Sequence, residues 1–247
     1  MNTPKLAGST LIIASVMLIV GFVLHPMPKE AGIEALARNM VESLDGLWYP
    51  VHVIVLLAFP ILMFGFLILY RIAVGRGEQI YSLPAILSLG LATVFAILGI
   101  NMEGFVEPIL AQRFLAPNAP EVNAAILEYN ILFDLSVDSV TLFLLIISPG
   151  LFGASLIRAK LINKWFARSG MAISLIGLLS YIAAVIGPYP YLVLTLANGP
   201  YHLIFELILF LIIIWSLVLG ILLSIMKIEE EQVPLVSAEI STAGVKT

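Results

Sequence analysis

Tyr201–Met226 reads YHLIFELILFLIIIWSLVLGILLSIM. After His202 and Glu206 it has no charged or imidazole side chain. As an α-helix it is about 39 Å long at about 1.5 Å per residue, more than the roughly 30 Å of a bilayer's hydrocarbon core. In hydrocarbon a backbone must satisfy its own polar groups, so the segment reads as a transmembrane helix. Five more stretches read the same way, at about 6–25, 50–70, 83–102, 129–157 and 170–187. The fold expected is all-α: an integral membrane bundle of six transmembrane helices over residues 1–227.

Composition agrees. Of 247 residues 61% are hydrophobic and 11% charged, with mean hydropathy +1.08; soluble domains have about 45–50% and about 25%. Too few charges are present to cover a water-facing surface, so the principal partner is the lipid bilayer. A net charge of −4 gives no footprint for nucleic acid. The absence of cysteine excludes disulfides, iron–sulfur clusters and thiolate metal sites. The first span follows Lys5 as a signal peptide would. It closes on Leu24-His25-Pro26-Met27-Pro28 without a small-x-small cleavage site and is expected to stay as an anchor.

Basic residues orient the bundle. Lys5, Arg71, Arg76, Arg158, Lys160, Lys164, Arg168, Lys227 and Lys246 fall on one side, and Lys29, Arg38 and Arg113 on the other. The richer side is expected in the cytoplasm with both termini, making this a multi-pass cell-membrane protein. Residues 228–247, beginning Ile228-Glu229-Glu230-Glu231, read as a disordered cytoplasmic tail. On the outer side, Ile33, Leu36, Ala37, Met40, Val41 and Leu44 recur at helical spacing, predicting an amphipathic surface helix over Ala31–Leu44. Trp48, Tyr49, Tyr189, Tyr191 and Tyr201 are expected in an outer aromatic belt.

Chemistry gathers at that outer face. His25 ends the first span, His52 opens the second and His202 opens the sixth; no other histidine is present. Glu103 and Glu107 follow the third span, Asp134 and Asp138 start the fourth, and Glu206 lies in the sixth. Counting from the basic anchors Arg71, Arg158 and Lys227 places His52, Asp138 and Glu206 about 28–32 Å along their helices, in one layer. Glu103/Glu107, Asp134/Asp138 and His202/Glu206 are i,i+4 pairs, so each shares a helix face. Imidazoles and carboxylates on facing helices are how bundle metal sites are built, and an N/O set without sulfur suits Zn, Fe or Mn. The expected ligands are His25, His52, Glu103, Asp134, Asp138 and His202, with Glu107 and Glu206 behind them. The bland alternative is a wet rim, since polar residues are cheap at helix ends and acids are favoured at helix N-termini.

Leu24-His25-Pro26, Trp48-Tyr49-Pro50-Val51-His52, the run Gly65 to Arg71 and Glu103-Gly104-Phe105-Val106-Glu107-Pro108 resemble uncharacterised six-span prokaryotic membrane proteins. The resemblance implies the six-helix fold and assigns no activity.

Four functional classes stay open on sequence alone. The first is a membrane metalloprotein, or metalloenzyme, with an outward-facing site. The second is electron transfer or anchoring, with His52 and His202 as haem ligands and quinone nearby. A proton-coupled carrier using Asp134 and Asp138 is the third, although no span has an ionisable residue in its inner half. The fourth is a structural subunit of a membrane complex or homo-oligomer.

Overall fold

The computed structural model describes residues 3–25, 33–116, 121–186 and 200–226. Among them every regular element is helical: α1 (Thr3–Leu24), α2 (Ile33–Ser43), α3 (Trp48–Gly75), α4 (Ser82–Asn101), a π-helical segment (Met102–Val106), α5 (Glu107–Phe114), α6 (Glu121–Arg158), α7 (Lys164–Ile186) and α8 (Pro200–Ile225). Six helical stretches are long and apolar enough to span a membrane, as the hydropathy requires. The third, expected to stop at residue 102, runs on through the π segment into α5 as one helical length, Ser82–Phe114. The tail at 228–247 and the loop holding Tyr189 and Tyr191 lie outside the described residues.

The spanning helices carry apolar residues on both faces, so polarity alone does not separate the packed face from the lipid face. On α4, Leu83, Leu87, Leu91, Val94 and Leu98 form an exposed stripe, while Ala85, Leu89, Ala92 and Ala96 are buried. A continuous apolar stripe of that length needs a hydrocarbon solvent, and small buried residues let helix backbones approach closely. One close crossing joins α1 to α8. A Cβ on Gly8 would stand 2.5 Å from the Gly220 carbonyl oxygen and 2.7 Å from the Ser224 nitrogen.

Helices α1, α3, α4, α6 and α8 close a ring, and α7, the least buried span, packs outside against α6 and α8. Pro149 interrupts α6, where a proline removes a helical donor. Hydroxyls serve the carbonyls just before it: Ser88 and Ser148 both donate to Leu144, at 2.9 and 3.0 Å, and Ser174 of α7 donates to Ile146.

Helix α2 has the expected amphipathic pattern, but protein rather than lipid covers part of its apolar face. Its Ala37 and Met40 form a small core with Trp48, Ala111 of α5 and Leu127 of α6, capping the bundle end where the histidines lie.

Candidate metal centre

Three elements meet under that cap. The last amide of α1, on His25, bonds the Phe22 carbonyl at 3.4 Å and closes the helix with the imidazole at its tip. Helix α3 opens with Trp48 and carries His52 one turn later, both buried. The third element is the π segment. The Glu107 amide reaches back five residues to the Met102 carbonyl, a widened turn that re-aims side chains and recurs at functional sites. It carries Glu103.

The Glu103 carboxylate stands between the two imidazoles. Its Oε1 lies 3.3 Å from His25 Nε2 and its Oε2 lies 3.7 Å from His52 Nε2. One donor atom from each of the three residues falls within 4.8 Å of the others. Two donors about 2.05 Å from a tetrahedral ion stand about 3.4 Å apart, so both carboxylate–imidazole spacings fit a shared ion.

His52 is the most constrained member. Its Nδ1 lies 2.7 Å from the Trp48 carbonyl oxygen. With the proton on Nδ1, that bond fixes the ring and leaves the Nε2 lone pair free to ligate, the usual arrangement behind a metal-bound histidine. Nε2 is buried and has no hydrogen-bond partner, an expensive state for a polar atom. The indole of Trp48 packs on the ring at 4.7 Å between centroids, and His25 meets it edge-on at 5.1 Å. Trp48 Nε1 also donates to the Gly104 carbonyl at 3.1 Å, tying α3 to the π segment. Gly104 is required here because a Cβ would press on the His52 ring at 2.7 Å.

The site is closed on one side and open on the other. The His52 side chain is 3% exposed, but His25 and Glu103 are 22% and 33% exposed. If these three groups hold an ion, the accessible side leaves room for a further ligand.

The expected ligands thus divide. His25, His52 and Glu103 are brought together. Asp134 and Asp138 lie on α6, whose backbone touches the π segment, and His202 lies in the first turn of α8; their side chains lie outside the described residues. Glu107 is buried at the start of α5 and Glu206 is half-buried on α8, and neither belongs to the converging set. Trp48, expected in a lipid-facing belt, is 2% exposed and part of the site. Its spacing four residues before His52, next to Glu103-Gly104, was the available signal.

No family model, no curated protein and no solved structure matches this chain.

Proposed function

We propose that this multi-pass membrane protein binds a divalent metal ion through His25, His52 and Glu103, at the outer face of the cell membrane. One observation supports the reading most: a buried imidazole nitrogen without a hydrogen-bond partner faces a carboxylate and a second imidazole at ligand spacing. The outward orientation rests on the basic residues gathered at the opposite end. Asp134, Asp138 or His202, on helices that reach this end of the bundle, would supply a fourth ligand. An ion held by these residues would supply Lewis acidity and activate a water. If the centre is catalytic, its substrate would be a lipid or small molecule arriving at the outer leaflet.

Metal analysis after purification in mild detergent tests the proposal. Wild type, as isolated or reloaded with Zn, Mn or Fe, should hold about one ion per chain, consistent with one three- or four-ligand site. His52→Ala and Glu103→Gln should lose it. Asp138→Asn and His202→Ala should weaken or abolish it if the shell reaches α6 and α8, and Glu121→Gln should bind normally. A wild type that holds no metal, with variants indistinguishable from Glu121→Gln, leaves a wet polar rim. A Soret band in place of stoichiometric metal would transfer the site to haem.

A further inference from the structure

Opposite the histidines the bundle ends in two turns, at 76–81 and 159–163, which are fastened to each other. Glu78 is buried and accepts hydrogen bonds from the amides of Tyr81 at 2.9 Å and Ser82 at 3.2 Å, and from Ser155 Oγ of α6 at 2.5 Å. Arg76 donates to the carbonyls of Ala159 and Lys160, at 3.3 and 3.2 Å. The Arg158 guanidinium lies 5.6 Å from the centre of the Tyr81 ring. The turns therefore form one rigid surface.

Its charge is one-sided. Among the described residues Glu78 is the acid of this end, and it is turned inward onto its three donors. Arg71, Arg76, Arg158, Lys160, Lys164 and Arg168 are all exposed. Two large apolar side chains stand with them: Trp165 is 68% exposed, beneath the Arg168 guanidinium at 5.0 Å, and Ile80 is 64% exposed. In water those two gain nothing. In a headgroup layer the indole finds its preferred depth, and each cation adds attraction to an anionic surface.

We propose that this face binds anionic phospholipid headgroups, with the Arg76–Lys160 contact at its centre and Trp165 and Ile80 set into the interface beside it. The competing occupant is the chain's own Glu229-Glu230-Glu231, which follows α8. Three carboxylates would leave much of this cationic face unneutralised and bring no apolar layer for Trp165 and Ile80. Lipid satisfies both.

Native mass spectrometry of the full chain, released from micelles doped with equal phosphatidylglycerol and phosphatidylcholine, tests the proposal. Wild type should retain phosphatidylglycerol at least about tenfold over phosphatidylcholine, since each nearby cation contributes about fivefold. The triple variant Lys160→Gln, Lys164→Gln, Arg168→Gln leaves Arg76, Arg158 and Glu78 in place to hold the turns. It should lose most of that preference while keeping the wild-type melting temperature, and Arg38→Gln at the other end should change nothing. Equal retention of the two lipids by wild type, or an unchanged preference in the triple variant, would overturn the proposal. So would a preference that appears only after residues 228–247 are deleted, because the tail would then be the occupant.

Discussion

Gly104→Ala is the smallest change that should disable the metal site. The added Cβ would lie 2.7 Å from Cγ and Cδ2 of His52 and 2.8 Å from its Cβ. Carbon atoms in contact rest about 3.5–4.0 Å apart, so the ring or the π segment must move by about 1 Å. The ring has nowhere to go: Trp48 covers it, His25 meets its edge, and Nδ1 is anchored 2.7 Å from the Trp48 carbonyl. A shift of that size is about half a metal–nitrogen bond of about 2.0–2.1 Å. Disturbing the groups that orient a ligand costs about 10–100-fold in metal affinity, equivalent to about 1.4–2.7 kcal/mol. Overpacking should also cost about 1–3 kcal/mol of stability. Competition titration against a chromophoric chelator reads the first effect, and thermal melting in detergent reads the second. Gly90→Ala is the control, since its Cβ meets only the flexible end of Met63 at 3.3 Å. If Gly104→Ala binds metal and melts like wild type, His52 is not held as described and the close approach has no consequence.

Three further outcomes are expected. Burial alone would raise the pKa of Glu78, but hydrogen bonds from Ser155, Tyr81 and Ser82 outweigh it and hold the carboxyl below its ordinary 4.5. Its stabilisation is therefore complete above that value and lost as pH falls through the lowered one. Glu78→Gln should lose about 1.5–3 kcal/mol near pH 7, the range for hydrogen bonds to a charged group, and the gap from wild type in thermal melts should shrink only below 4.5. Gly8→Val should force α1 from α8, where the Gly220 oxygen and Ser224 nitrogen leave no room, and lower the melting temperature by the equivalent of about 1–3 kcal/mol. In this cysteine-free chain, an impermeant thiol reagent applied to intact cells should label Glu42→Cys and spare Lys164→Cys; the reverse pattern would turn the metal site toward the cytoplasm.

The spans were legible because hydrocarbon imposes one solution on long apolar runs, and Tyr201–Met226 needs no other information. The path of the third span past residue 102 was not. A π turn has no repeating pattern, and Met102-Glu103-Gly104-Phe105-Val106 reads as the end of an apolar helix. That turn decides where Glu103 stands relative to Glu107, a pair that α-helical spacing put on one face. Helix α2 was legible as amphipathic from its 3.6-residue period. Its partner was not, since periodicity marks an apolar face without saying whether lipid or α5 covers it.

At the site, residue type and position placed His25, His52 and Glu103 among six expected ligands, but nothing in the sequence singled these three out from Asp134, Asp138 and His202. Trp48 was misjudged for a physical reason: a tryptophan at a helix end suits a lipid interface and a packed cap equally well, and only the Gly104 carbonyl 56 residues away discriminates. Glu78 was overlooked because a lone acid in a loop has no signature until Ser155, from another helix, is brought to it.

The central claim is that His25, His52 and Glu103 share one ion. The X-ray absorption fine structure of the metal-loaded, detergent-solubilised protein tests it most directly. Expected is a first shell of nitrogen and oxygen only, at about 2.0–2.2 Å, with multiple scattering from at least two imidazoles, and little or no bound metal in His52→Ala. A shell of oxygen alone, or imidazole scattering unchanged in His52→Ala, would contradict it.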